Sequence, residues 1–508
     1  MLKNFQAVIT GLLVTLFAAL GVADVTIDWG AEIKNDFRID VKEVDTPEIG
    51  YNRTDFGLSL KAGLVPNRLN FVGHINLVWQ GYPRDTDYHG LTTRQTIAPV
   101  SFESNSAYID ILDVLPSLDI RLGRQIVQWG SADMFNPTNN INALDLSDPL
   151  LFGKYIANQM IRIDYNPRGG NLVLTAIWVP VFQPSQLPPS GLLRVGDPTS
   201  ELPFSDPRHR RDAEALRNIY LRNPNAFDIY TPDLHIQMPE FTLANSQVGL
   251  RAQWLIGDVD ATLSYYYGRD TVPVSIESNS TRVTTGRFFE GTPVMGVATD
   301  VVLRYPKKHV LGFDITGQIP FLDDMGIWFE GALVFPEATS MRFDITPVVP
   351  GARVIEGYVV DPTPFFKFTA GADYSINKYL FINGQFIRGF PDEFGAHAIH
   401  NYWMGMLEIK MLQERLALRN VVLGEIPHKD DDLNLDQDGD GRVESFATGA
   451  TNDGRISSIV YFPEIQYRPL SGLELSLGAF LKWGHRESKF AMPAAGSSTV
   501  FFRARASF

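Results

Sequence analysis

The chain of 508 residues contains no cysteine. Disulfide frameworks, thiolate metal sites and cysteine nucleophiles are thereby excluded. Histidine is scarce as well, at nine residues, and neither a G-x-S-x-G nucleophile elbow nor an H-E-x-x-H metal helix occurs. These absences count against an enzymatic reading, and no enzyme is expected. Basic residues are outnumbered, 44 Lys and Arg against 58 Asp and Glu, for a formal net charge of −14. That balance speaks against a nucleic-acid partner, because neutralising phosphates needs a basic surface. Beyond the N-terminus, no stretch approaches the roughly 18 apolar residues of a membrane-crossing helix.

The N-terminus itself reads as a secretory signal. Lys3 supplies the positive start, Val8 to Leu20 the apolar run and Gly21-Val22-Ala23 a small-residue cleavage site. Residues 1–23 are expected to be removed, with the mature chain starting at Asp24. It would leave the cytoplasm with no helix to hold it in a membrane.

What the mature chain has is period two. Glu32, Lys34, Asp36, Arg38, Asp40 and Lys42 alternate with Ile33, Asn35, Phe37, Ile39 and Val41. One such strand fits either a soluble sandwich, with its apolar face in a core, or a barrel with a lipid face and a wet lumen. The C-terminal end decides between them. Phe502, Ala504, Ala506 and Phe508 alternate with Arg503, Arg505 and Ser507. A last strand ending in Phe resembles the signature by which outer-membrane barrels are recognised for assembly, which implies the assembly machinery as a partner through Phe508. Leu473 to Trp483 alternates in the same way upstream.

Tight turns are expected near Pro66-Asn67, Pro116-Ser117, Asn166-Pro167-Arg168, Gly257-Asp258, Asp323-Asp324, Asn377-Lys378, Leu412-Gln413-Glu414 and Leu470-Ser471-Gly472. Longer segments lie between them, at about 82–104, 130–157, 182–243, 270–307, 336–364 and 425–453. Short turns alternating with long loops mark the two ends of a membrane barrel. The fold expected for residues 24–508 is therefore all-β, a transmembrane antiparallel β-barrel of about 18 strands (16–18) with both termini on the periplasmic side. Segment 270–307 fits either an additional hairpin or strands extending past the membrane. The tryptophans Trp29, Trp79, Trp129, Trp178, Trp254, Trp328, Trp403 and Trp483 fall on or beside the strands, where interfacial girdles would place them.

A wall of this size surrounds water. The charged residues expected to line it are Glu32, Lys34, Asp36, Arg38, Arg121, Arg162, Asp164, Arg251, Asp314, Glu330, Lys367, Asp373, Glu408, Lys410, Arg503 and Arg505. Most would pair across strands and stiffen the wall, leaving the unpaired ones near a constriction to select solutes.

Three of the long segments carry further signals. Segment 130–157 holds Asn136, Asn139, Asn140, Asn142, Asp145 and Asp148; it either folds inward to narrow the pore or caps the surface. Segment 182–243 is too long for a structureless connection, so a lid or plug is favoured. It contains a helix start at Ser205-Asp206-Pro207 and the cations Arg208, Arg210, Arg211 and Arg217. These would line the lumen or face solvent outside it. In segment 425–453, Asp436, Asp438, Asp440 and Glu444 match the front half of a Ca²⁺ loop, although Ala447 stands where the bidentate Glu belongs. A structural Ca²⁺ in an external loop is the expectation.

Two groups of short motifs carry a family resemblance. They are Arg121-Leu122-Gly123-Arg124-Gln125 with Trp129-Gly130, Phe135-Asn136-Pro137 and Asn140-Ile141-Asn142, and Trp178-Val179-Pro180-Val181-Phe182 with Tyr266-Tyr267-Gly268-Arg269-Asp270. The chain resembles large uncharacterised outer-membrane barrel families of Gram-negative bacteria, distantly similar to the 18-stranded alginate-export porins. The resemblance implies a porin-like exporter or uptake channel in the outer membrane. A polyanion conduit would need a strongly basic lumen, and this wall mixes both signs. The expected function is a channel for small or medium polar solutes, with a plugged adhesin or structural barrel as the alternative. Outer-membrane lipid and an unidentified solute are the expected partners.

Overall fold

The computed structural model describes residues 25–41, 47–81, 88–133, 135–148, 150, 153–167, 170–187, 204, 209, 227–230, 233–349, 351–396, 399–429, 455–485, 488–491 and 496–508. The expected signal peptide lies outside these residues. So do the calcium candidates Asp436, Asp438, Asp440 and Glu444 and the loop cations Arg208, Arg210, Arg211 and Arg217.

Eighteen strands form one closed sheet. In chain order they are β1 (Thr26–Asp40), β2 (Glu48–Val65), β3 (Leu69–Gln80), β4 (Val100–Leu115), β5 (Leu118–Gln125), β6 (Asn158–Tyr165), β7 (Leu172–Val179), β8 (Gln247–Ile256) and β9 (Val259–Arg269). The second half comprises β10 (Lys307–Ile319), β11 (Met325–Pro336), β12 (Phe365–Asn377), β13 (Leu380–Arg388), β14 (Asn401–Met411), β15 (Leu416–Glu425), β16 (Ser458–Leu470), β17 (Leu473–Gly484) and β18 (Thr499–Ser507). Each pairs antiparallel with its chain neighbours, and β18 pairs with β1 from Glu32↔Ser507 to Asp40↔Thr499. No edge is left.

All eight expected turns join strand pairs at one end of the barrel. Reversing an antiparallel pair in so few residues requires backbone in the left-handed region, which Gly, Asn and Asp reach at low cost. Asn67, Asp323, Asp324, Gly257 and Gly472 take it at four of these turns. Leu412, Gln413 and Glu414 take it consecutively, with φ of 52, 56 and 67°.

Alternation separates the two faces of the wall. On β11, Ile327, Phe329, Leu333 and Phe335 point outward while Trp328, Glu330, Ala332 and Val334 are buried inward. Outside, Phe313 of β10, Phe329 of β11, Phe366 and Phe368 of β12 and Phe386 of β13 form a stacked ladder with ring centroids 5.5–6.3 Å apart. Trp79, Trp403 and Trp483 are also exposed on the outer face. The girdle expectation fails for two tryptophans. Trp328 shares the inward parity of Glu330 and is 7% exposed, and Trp129 lies in a loop, 2% exposed.

Segment 270–307 is an additional hairpin, Val274–Phe289 paired with Thr292–Arg304. With Phe227–Ile229, Asp233–Gln237, Thr339–Asp344 and Ile355–Val360 it makes a separate six-stranded sheet beyond the barrel. Phe204, Met341, Ile355, Val359 and Val360 form its buried core. The named α-helices among the described residues are the short Tyr88–Leu91 and Arg94–Ile97, both between β3 and β4. Of the helix expected to start at Ser205-Asp206-Pro207, His209 is described, and its ring packs on Gly357 of the external sheet.

Phe329 stands at the middle of the outer aromatic ladder, so an arginine there would meet hydrocarbon. Phe329→Arg should lower folding stability in lipid vesicles by about 2–4 kcal/mol, read by urea titration of tryptophan fluorescence. An unchanged midpoint would place this face away from lipid.

Candidate functional site

The described residues of 126–157, between β5 and β6, fold against the inner face of the barrel, as the inward alternative expected. One side chain ties the two ends of this loop together: Asn142 Oδ1 accepts the Val127 N–H at 2.8 Å, and its Nδ2 donates to the Gln125 and Ile156 carbonyls at 3.1 and 3.0 Å. An amide suits the task because it offers acceptor and donors at once.

The deepest anchor is Glu330. Its carboxylate is fully buried and accepts five hydrogen bonds from the loop. The donors are the backbone N–H groups of Ser131, Ala132 and Thr138 at 3.0, 3.1 and 2.9 Å, Asn136 Nδ2 at 3.1 Å and the Thr138 hydroxyl at 2.7 Å. A buried carboxylate is tolerable only when it is bonded this fully. Gly130, with φ of 91°, is required here because the carboxylate occupies the space of a Cβ.

Further contacts carry the loop around the lumen. Thr369 on β12 donates to the Phe135 carbonyl at 2.8 Å, and Asn383 and Gln385 on β13 donate to Asp133 at 2.8 and 3.3 Å. Arg38 on β1 grips Asp148 with two bonds of 2.6 Å while also binding Asp36. Lys154 reaches Asp145 at 2.8 Å and Glu103 of β4 at 3.4 Å. Asp145 lies outside the barrel strands; burial would raise its pKa, but Lys154 and Ser147 hold it below the usual carboxylate range.

Two other segments join the loop. Residues 180–187 follow β7 and run beside it, with Leu146 N–H donating to Gln186 and Gln186 N–H to Leu144. Of the expected lid or plug, only the start lies here; the other described parts include Phe227–Ile229 and Asp233–Gln237, which belong to the external sheet. Residues 389–400 bring Phe390 against Phe135, Tyr402 and Phe490 at 4.4, 4.4 and 5.5 Å. Glu393 fixes this segment by accepting from Phe390 N–H, His400 N–H and the Tyr402 hydroxyl. Burial works against its ionisation, yet His400, Lys489 and Tyr402 outweigh that and keep its pKa low. Two apolar clusters result, one around Trp129, Ile141 and Tyr266, the other around Phe135, Phe390 and Phe490.

The charged residues expected on the lumen side divide into three groups. Glu32–Arg505, Asp36–Arg503, Arg162–Asp164 and Glu408–Arg419 pair at 2.7, 2.8, 2.7 and 2.7 Å, Arg121 pairs with Asp110 at 2.6 Å, and Lys410 lies 3.7 Å from Glu408. Asp36, Arg38, Asp314, Glu330 and Lys367 are corrections. They are buried and do not line open lumen, Arg38, Glu330 and Lys367 being held against inward-folded segments, Lys367 by donating to the Phe390 carbonyl at 2.6 Å. Lys34, Arg251, Asp314 and Asp373 have no ion pair among the described residues. Sequence reasoning missed Asp133, Glu103, Asn383 and Gln385. Strand parity places the last two inward, but nothing local marks them as partners of a distant loop.

Comparison with known proteins gives one family and a set of solved barrels. Residues 52–383 match the profile of a family described as "Protein of unknown function (DUF1302)". No curated protein matches the chain in sequence. Among solved structures, OccAB3 of Acinetobacter baumannii is 10% identical over 96% of this chain and 100% of its own, with a TM-score of 0.46. OpdL of Pseudomonas aeruginosa is 10% identical over 96% and 98%, with a TM-score of 0.46. OccD3 (OpdP) of Pseudomonas aeruginosa is 8% identical over 96% and 92%, at 0.47.

Replacing Glu330 by Ala strips five loop donors of their shared acceptor, each charge-assisted bond contributing about 1.5–3 kcal/mol. Amide hydrogen exchange over residues 131–138 should then accelerate at least about tenfold with the barrel still folded. Unchanged protection would show that the loop is held by its apolar packing instead.

Proposed function

We propose that this chain, which belongs to the DUF1302 family, is a porin-like channel in the outer membrane of a Gram-negative bacterium, passing small or medium polar solutes through a passage narrowed by residues 126–157. The opposition between the two faces of one closed wall supports this reading most directly. Outward, the wall presents the phenylalanine ladder and exposed aliphatic residues; inward, it presents ion pairs and amides. A barrel of 16–18 strands is wide enough to hold water, and a polar lining is useful only where water and solutes meet it. Phe508, whose backbone pairs with Ala31, would present the C-terminal signal to the assembly machinery.

The packing of Phe135, Phe390 and Phe490 inside the barrel favours a second reading, a plugged barrel serving as adhesin or structural protein. Planar-bilayer recording of the refolded protein separates the two. Stable unitary steps are expected, with a reversal potential under a salt gradient that reports the sign of the unpaired lumen charges. Silence from a heat-modifiable, folded barrel would overturn the channel and leave the plugged barrel.

Asp436, Asp438, Asp440 and Glu444 are proposed to hold a structural Ca²⁺ in the external loop. Ligand that binds only the folded state raises its stability. Calcium should therefore raise the melting temperature, chelation should reverse the rise, and Asp438→Asn with Asp440→Asn should abolish it. Equal melting with and without calcium would remove the ion from the account.

A further inference from the structure

On the lumen wall made by β11, β12 and β13, two carboxylates stand close together without a cation. Asp133, at the inner side of the constriction loop, is exposed, and its Oδ2 accepts Asn383 Nδ2 at 2.8 Å and Gln385 Nε2 at 3.3 Å. Asp373 is the register partner of Asn383 and lies within range of the Asp133 charge. Neither carboxylate forms an ion pair among the described residues.

Two buried side chains at the same place have unused polar atoms. Gln385, 5% exposed, has an Oε1 with no hydrogen-bond partner, and Trp328, 7% exposed, has an Nε1 with none. Gln385 is turned so that its Nε2 reaches Asp133 and Asn383 Oδ1, the latter at 3.2 Å. Trp328 pairs in register with Gly371, which pairs in turn with Gln385, and the indole edge carrying Cε2 and Cζ2 lies over Gly371. Buried polar atoms are ordinarily bonded, so the two left over here point to a missing occupant.

We infer that Asp133, Asp373 and Gln385 form a subsite in the channel for the ammonium group of a small primary amine that also carries an acceptor oxygen, as amino alcohols and amino acids do. A primary ammonium has three N–H donors and no acceptor, matching two carboxylates and one amide oxygen. The indole adds an aromatic surface favourable to a cation, and its N–H is left for the solute's oxygen. An indole donor needs a group with lone pairs, a role that a bare metal cation cannot fill. The inference rests on the channel reading and names the solute class that the passage favours.

The test uses ethanolamine hydrochloride as the probe with the refolded full chain. In planar bilayers it should reduce the potassium current with a half-blocking concentration that rises at least about tenfold in Asp133→Asn and in Asp373→Asn. Asp119→Asn removes one carboxylate elsewhere on the wall and should change it less than about twofold. Tetramethylammonium, which has no N–H donor, should not compete. Equal weakening in all three variants, block by tetramethylammonium at the same concentration, or block by Mg²⁺ but not ethanolamine would each overturn the subsite. Titration calorimetry of the folded barrel in detergent reads the same binding without any current. Absence of channel steps with calorimetric binding intact would sink the channel and spare the subsite; steps without binding would do the reverse.

Discussion

Hydrocarbon offers no hydrogen-bond partner to a peptide group, so a sheet within it can have no edge. Every other feature of this barrel depends on the pairing of β18 with β1 that removes the edge. Nine consecutive register pairs run along that seam. The same two strands are joined again on the lumen side, where Arg503 binds Asp36 and Arg505 binds Glu32 at 2.8 and 2.7 Å. Outside the barrel, Phe37 faces Phe502 and Ile33 faces Ala506. Backbone, charge and apolar surface thus all specify one register, and a slip of a single residue would turn each of these side chains to the wrong face.

Closure at eighteen strands creates a space that the wall's own side chains cannot fill, and the chain fills part of it with loop. The cost of bringing loop backbone inward is the loss of water from its peptide groups. Glu330, Asn142 and Thr369 offset that by bonding backbone donors and acceptors of residues 126–157 directly. The apolar residues of the loop then pack with those of the wall, Trp129 and Ile141 fitting against Gly249 of β8. The constriction is therefore built as a second, smaller core inside the barrel, with polar fastenings at its margin.

Much of this was legible in the sequence because strand parity and turn chemistry are local. The alternation around Glu32 to Lys42 and Phe502 to Phe508 marks the two faces of the seam strands, and the eight turns fall where the chain reverses between paired strands. Parity carries one more consequence: Trp328 alternates in step with Glu330, so a lumen position for one implies it for the other. The site was less legible because its partners lie far apart in the chain. Glu330 meets Thr138 across 192 positions and Gln385 meets Asp133 across 252. A glutamate on an inward strand face reads as a pore-lining charge until a loop is known to cover it. The abundance of Asn and Asp in segment 130–157 was a sign of backbone bonding, without showing whose backbone.

Formal charge on the inward face is a poor guide to selectivity for a related reason. A cation and an anion joined at less than 3 Å present little net field to a passing ion, and much of this wall is joined in that way. What remains is uneven in placement. The unpaired base Lys34 lies on β1; Arg251 on β8 and Asp314 on β10 lie within range of each other's charge, and Asp373 on β12 is faced by Asp133 from the loop. A wall that looks neutral in the sequence therefore still gathers two carboxylates without a base, at Asp133 and Asp373. The inward-folded loop also supplies one of the acids. Position of the loop and placement of this carboxylate are consequently set together, by contacts on β11 to β13.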